Sequence, residues 1–233
     1  MAQADWTELI GSAPGGTIRR AVSAAYPKPP GGGTFARGFN SQSNAASVVA
    51  YYHVGTGFTP TTKGGDISSA IQRGLSAGKT NFSPFIFICL TGTNVADNAY
   101  ILGPADGDPS RMVLRKGDIA SGLPNVAPGQ QGVLRQSSEA FPDQAYYHLR
   151  LEAVKNGNDD MVINCYRSNL LVTPVSDPAI WVPIPGMDTF IDDNAGIESG
   201  SLPLASGYLG YGFRSSDISR RAYFDHIRPR AQT

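Results

Sequence analysis

From Thr34 onward the sequence is a succession of short segments rich in β-branched and aromatic residues, punctuated at close intervals by Gly, Pro, Asn and Asp. Turn residues at that density break helices before they can grow, so the pattern predicts an all-β domain. The runs ASVVAYYHV (46–54) and SPFIFICLTG (83–92) are apolar without interruption, which predicts strands covered on both faces near the middle of sheets. YYHLRLEAV (146–154) alternates instead, placing Tyr147, Leu149, Leu151 and Ala153 on a core face and His148, Arg150 and Glu152 on the opposite one.

Turns connect these strands in readable ways. AYILG and SRMVLRKG flank PADGDP (104–109), which predicts a hairpin. KNGNDD leads into MVINCYRS (161–168), with Asn156-Gly157 expected to supply the positive-φ residues of a second hairpin. Pro183 and Pro185 cannot donate to a sheet ladder, so WVPIPGMDTFIDD marks an edge or a bulge. The best helix candidate is GDISSAIQRGL (65–75), where Ile67, Ala70, Ile71 and Leu75 approximate a helical stripe, with strand or loop as the alternative.

Residues 1–33 differ from the rest. GSAPGGTIRRAVSAAYPKPPGGG (11–33) is dense in Gly and Pro and reads as an arm or linker, leaving 34–233 as one β-sandwich domain. The arm carries Trp6, Leu9, Ile10, Ile18, Val22 and Tyr26, apolar groups that cost free energy when left in water, so it is expected to dock on another subunit. The expected partner-binding residues are Trp6, Leu9 and Ile10, with Arg19 and Arg20 at the polar rim.

Composition narrows the function. The chain of 233 residues is 41% hydrophobic, enough for one core, but only 16% charged, against roughly 25% in soluble domains at large. Formal net charge is zero and the basic residues are scattered, which argues against nucleic acid as a partner. The start, MAQADWTELIGS, lacks the basic and apolar regions of a secretory signal, and FIFICL is too short to cross a bilayer, so neither secretion nor a membrane partner is expected. Cys89 and Cys165 lie in apolar runs and read as buried free thiols; with His53, His148 and His226 dispersed, no metal-ligand spacing is present.

Catalytic signatures fail one by one. GLSAGKT (74–80) ends like a phosphate-binding loop, but the glycine needed five residues before Gly78 is Arg73. Glycoside hydrolysis needs two carboxylates facing one bond, and none of Glu8, Glu139, Glu152 and Glu198 has a second carboxylate two residues away on a strand; Glu152 beside Arg150 reads as a solvated cross-strand partner. Asp106 with Asp108, and Asp192 with Asp193 and Asn194, suggest calcium, yet turn chemistry explains both clusters and neither has a full ligand set. The expectation is a protein without catalytic residues, cofactor or metal.

Three segments in order carry a resemblance: NAYILGPADGDPSRMVLRKG, YYHLRLEAVKNGNDDMVINCY and GYLGYGFRSSDISRRAYFDHIR. Together they resemble a concanavalin A-like or laminin-G-like jelly roll over residues 34–230. The resemblance implies that GYLGYGF is an inner strand whose Gly207, Gly210 and Gly212 let aromatic neighbours pack closely, that Phe224 is core, and that Asp225 and His226 are structural or surface groups. The low-charge, Gly/Ser/Asn-rich style is similar to that of tailed-bacteriophage virion proteins. The implied function is a homo-oligomeric structural protein of the virion, in capsid decoration or in the tail and baseplate, acting by protein–protein assembly. The alternative is a carbohydrate-binding module recognising a surface glycan through Trp181, Tyr208, Tyr211 and Tyr223.

Overall fold

A computed structural model describes residues 5–12, 17–27, 36–54, 65–74, 81–107, 111–141, 146–168, 181–195 and 202–231. Two antiparallel sheets face each other. The first runs, in spatial order, β1 (Trp6–Ser12), β4 (Ser47–His53), β14 (Tyr208–Ser215), β6 (Phe82–Leu90), β7 (Asn98–Pro104), β8 (Arg111–Asp118) and β9 (Val133–Ala140). The second runs β12 (Val182–Pro183), β11 (Met161–Ser168), β10 (Tyr147–Lys155), β5 (Gly65–Arg73), β15 (Arg221–Ala231), β3 (Ala36–Ser41) and β2 (Ile18–Ser23), with β13 (Phe190–Asp192) also paired to β11.

The main core lies between the sheets. Phe39, Tyr51, Tyr211, Phe213 and Phe224 form its aromatic centre, with Phe39 and Phe224 edge to face at 5.4 Å and Tyr51 stacked on Tyr211 at 5.4 Å. Such pairs add to the transfer free energy of the buried rings. The first sheet carries a second apolar layer on its outward face, where Val48, Ala50, Phe85, Phe87, Ile101 and Val113 pack under Ile119 and Leu123. That double coverage is why β4 and β6 read as unbroken apolar runs, and both flank β14 in the middle of the sheet as expected. Gly210 and Gly212 make the arrangement possible: a Cβ at Gly210 would sit 2.5 Å from the Phe87 ring, and one at Gly212 2.9 Å from Phe85.

Other expectations hold in detail. β7 and β8 pair as a hairpin, Leu149, Leu151 and Ala153 are buried core, Pro183 sits in an edge strand, and Phe224 is 1% exposed. The β10–β11 turn is real, but its positive-φ residue is Asp159 (φ 69°); Asn156 instead accepts the Asn158 and Asp160 N–H groups on its side-chain oxygen.

Two expectations are corrected. The stretch 65–73 is not a helix but β5, between β10 and β15; Ile67 and Ile71 are four residues apart, an even spacing that one face of a strand satisfies as well as a helical stripe does. The N-terminal residues are not an arm separate from the sandwich. β1 is an edge strand of the first sheet, in register with β4, and β2 is an edge strand of the second, in register with β3. Residues 13–16 and 28–35, with the proposed boundary at 33, lie outside the described residues.

Candidate functional site

The outward face of the second sheet is polar, unlike that of the first. Strand register places its side chains in rows, because residues directly opposite on antiparallel strands share a face. One row runs Pro183, Tyr166, Arg150, Ser68, Arg228 across β12, β11, β10, β5 and β15; the next runs Asn164, Glu152, Asp66, Arg230.

Glu152 is the hub of these rows. It accepts hydrogen bonds from Arg150 Nη2 at 2.9 Å and Asn164 Nδ2 at 3.0 Å, with the Tyr166 hydroxyl at 3.5 Å. The same Arg150 nitrogen donates to Asp66 Oδ2 at 2.7 Å, and the guanidinium lies 5.5 Å from the centre of the Tyr166 ring. Thr189 completes the chain by donating from Oγ1 to Asn164 Oδ1 at 2.8 Å. Each polar side chain is therefore held by the next. The Arg150 and Glu152 side chains are only 15% and 12% exposed, so the expected solvated pair is in fact a largely desolvated network. Burial pushes the Asp66 carboxyl above its ordinary range, against the opposing pull of Arg150 and Arg230. Burial, helped by Glu152, also raises the Tyr166 phenol, which stays a neutral hydrogen-bonding group.

Beside this network lies an open cleft of about 160 Å3. Asn164 and Tyr166 of β11, Pro183 of β12, and Asp188 and Thr189 before β13 line it, with Cys165 and Met187 beneath. An aromatic ring, an amide, a hydroxyl and a carboxylate thus converge on one small open cleft. The arrangement suits a polyhydroxylated ligand: the ring offers an apolar face, and the polar groups offer both donors and acceptors.

The residues singled out from sequence are scattered. Tyr211 is corrected from glycan ligand to core, 2% exposed and packed on Tyr51, Phe224 and Trp6, because its parity on β14 turns it inward. Tyr208 packs at a tilt against Tyr52, 4.7 Å between ring centres, on the outward face of the other sheet. Tyr223 packs against Tyr26 at 5.4 Å. Trp181 is half-buried at the entry to β12. Among the partner-binding candidates, half-buried Trp6 meets His53 and Tyr211 at the edge of the core, Leu9 is buried, and Arg20 pairs with Glu8, whereas Ile10 and Arg19 are exposed.

The acidic clusters serve the fold. Asp192 is fully buried and binds Lys116 Nζ at 2.7 Å and the Tyr100 hydroxyl; Asp106 accepts from Arg214 at 3.3 Å and from the Asn81 N–H; Asp193 accepts the Ala195 N–H at 3.0 Å. Asp108 and most of GLSAGKT, from Leu75 to Thr80, lie outside the described residues, as does the His226 side chain. Among the described residues no group of three or more His, Cys, Asp and Glu is placed to hold a metal ion. Cys89 and Cys165 are buried free thiols whose ionisation burial pushes far up.

Asp66, Ser68, Asn164, Asp188 and Thr189 were not visible as a site in the sequence. The available signal was the polar parity of β10, whose cross-strand neighbours only the register reveals.

No family model and no curated relative matches the sequence. Solved structures do. The cellulose induced protein Cip1 is 17% identical, with 100% of this chain and 94% of that one covered at a TM-score of 0.50. A tyrosine-to-phenylalanine mutant of the Emp46p carbohydrate recognition domain is 9% identical, with 97% and 87% covered at 0.51. A carbohydrate esterase from the Shiga toxin-encoding bacteriophage phi24B is 14% identical, with 98% and 91% covered at 0.47, a score on which no argument rests. At these identities the likeness concerns the fold alone: the chain is a concanavalin A-like β-sandwich.

Proposed function

We propose that this protein is a non-enzymatic carbohydrate-binding module whose site is the cleft walled by Tyr166, Asn164, Asp188 and Thr189. The observation that carries the reading is the fixed orientation of the cleft's polar groups. Asn164 is tied at both ends of its amide, to Glu152 and to Thr189, so its presentation costs a ligand little ordering entropy. Glu152 already receives Arg150, Asn164 and Tyr166, an arrangement that favours a holding role over proton transfer. The Emp46p likeness, a fold shared with a carbohydrate recognition domain, is in keeping with this role. A glycan array followed by calorimetry on the best saccharide tests it. Tyr166→Ala and Asp188→Ala should each weaken binding about tenfold or more, the order of one lost stacking or charged hydrogen-bonding contact. An array without a binder, or full affinity in both variants, refutes the reading.

A second reading is favoured by the exposed edges. β1 and β2 end their sheets, and Ile10 and Val22 on them are 55% and 50% exposed, so a second copy or another protein has unpaired backbone and apolar side chains to meet. On this reading the protein is a homo-oligomeric structural component of a bacteriophage virion, and the glycan cleft serves attachment. Mass spectrometry of purified particles decides it, since absence of the chain from them removes the reading.

A further inference from the structure

The polar face of the second sheet ends in an apolar row. Val154 on β10 stands opposite Val162 on β11, and Val162 stands opposite Ile191 on β13, so the three side chains share the outward face. Val154 and Val162 are half-buried, and their pairing across the β10–β11 hairpin accounts for both. Ile191 is different. It is 49% exposed on a short strand whose other two side chains, Phe190 and Asp192, are buried.

This row borders the cleft on the side away from Tyr166. Val162 lies two residues before Asn164 on β11, about 7 Å along the strand, and Ile191 lies two residues after Thr189, whose hydroxyl donates to Asn164. At about 160 Å3, the space of roughly five water molecules, the cleft takes one sugar ring and leaves that ring's substituents at its rim. A substituent passing Asn164 and Thr189 meets the Val162–Ile191 row, where an apolar group gains by leaving water and a hydroxyl gives up its hydration for nothing. Three side chains are far short of the roughly 20–30 residues that each partner brings to a protein interface, so a small ligand group suits the row better.

Charge narrows the class further. Among the described residues lining the cleft Asp188 alone is charged; it is exposed and forms no ion pair with any described residue. A carboxylate without a cation repels sugar acids and accepts hydrogen bonds from neutral donors. The Asn164 amide has a second N–H beyond the one given to Glu152. An acetamido group answers each feature at once, with an N–H for the carboxylate, a carbonyl for the amide and a methyl for the apolar row.

We propose that Val162 and Ile191 form a subsite for the acetyl methyl of an N-acetylhexosamine whose ring occupies the Tyr166 cleft. The proposal rests on the glycan-binding reading and names its ligand class.

The test is calorimetry with N,N′-diacetylchitobiose and with cellobiose, which has the same linkage and hydroxyls in place of the acetamido groups, on the full chain and on Ile191→Thr, Val162→Thr and Tyr166→Ala. The acetylated disaccharide should bind about fourfold or more tightly, the order of one buried methyl group. Ile191→Thr and Val162→Thr keep the β-branch and should bring the ratio close to one, with thermal melts reporting that both remain folded, whereas Tyr166→Ala should weaken both sugars. A nuclear Overhauser contact between the acetyl and Ile191 methyl groups is expected, and a bound acetyl group without it overturns the placement. Equal binding of the two disaccharides, or a ratio that survives Ile191→Thr, overturns the acetyl subsite and leaves the cleft standing. Fucose, which carries a methyl and no amide, overturns the acetamido choice if it binds as well as N-acetylglucosamine. If the glycan array yields a saccharide that Tyr166→Ala loses while diacetylchitobiose does not bind, the acetyl subsite alone falls; if no saccharide binds, the cleft reading falls and this one with it.

Discussion

The buried pair of Lys116 and Asp192 joins the two sheets, and removing one partner should cost more than any surface change in the molecule. Lys116 comes from β8 of the first sheet and Asp192 from β13 of the second, with side chains 5% and 0% exposed and 2.7 Å between charged atoms. The Tyr100 hydroxyl of β7 binds the same carboxylate oxygen and itself accepts the Leu204 N–H at 3.0 Å, while Asp192 Oδ1 has no partner. Lys116→Met keeps most of the stem's apolar volume but leaves a carboxylate in the core with one hydroxyl for company. Breaking a buried pair in this way costs about 3–5 kcal/mol. For a chain of this size, each kcal/mol lowers Tm by roughly 2–4 °C, so a loss on the order of 6–20 °C is expected. Lys116→Met with Asp192→Leu removes both charges and should recover most of that loss, because a buried ion pair is often matched by apolar groups of similar volume. Urea unfolding followed by tryptophan fluorescence, alongside calorimetric melts, measures both. A single variant that loses under about 1 kcal/mol, or a double variant no better than the single, refutes the view that the desolvated charge dominates.

Two carboxylates should give opposite dependences of stability on pH. Asp118 caps the 3-10 turn at Ile119–Ser121; burial pushes its carboxyl up, but the Ser121 hydrogen bonds and Arg115 outweigh this and its pKa falls below 3.8, so its stabilisation is present above that value and is lost as pH drops through the folded-state pKa. Asp118→Asn should flatten the acid limb of a stability–pH curve, and an unchanged limb counts against the assignment. Asp66 has the reverse sign: burial raises its pKa above 3.8, so the fold binds its proton more tightly than the unfolded chain and this group's contribution weakens as pH rises through the window between the two values. Asp66→Asn should remove that downward slope, and a steeper slope in the variant refutes it.

How much of this was legible in the sequence depended on whether a residue's partners were local. The β10 alternation placed Leu149 and Leu151 in the core and Arg150 and Glu152 outside without any tertiary knowledge, because parity along one strand decides it. The β7–β8 hairpin was legible from its local turn residues, whereas the inner position of β14 came only from the resemblance to a jelly roll. β5 was not, since the spacing of Ile67 and Ile71 satisfies both periods and only its place between β10 and β15 settles the matter. β1 and β2 were hidden among glycines and prolines, and their strand character comes from pairing with β4 and β3 rather than from their own composition. The cleft was least legible. Asn164 meets Glu152 and Thr189 across 12 and 25 residues of sequence, and Arg150 meets Asp66 across 84, so the site exists only once register is fixed.

The same register explains why a site belongs on the second sheet and not the first. On the first, the outward face is closed by its own chain: Phe85 and Phe87 lie over the glycines of β14, and Ile119 and Leu123 cover the remainder, an apolar layer with its contacts already made. On the second, the outward positions of β5, β10, β11 and β15 include Ser68, Asp66, Arg150, Glu152, Asn164 and Tyr166, whose hydrogen bonds run sideways from strand to strand. Such a face is stable only where each polar group finds a partner, and here the partners run out over Ser68 and Asp66. An apolar substitution at Ser68 would cost the fold little if those groups served packing alone. Ser68→Ala therefore removes a buried hydroxyl that no side chain partners, so an unchanged or slightly raised Tm is expected, and a marked loss refutes the view that this hydroxyl adds nothing to the fold.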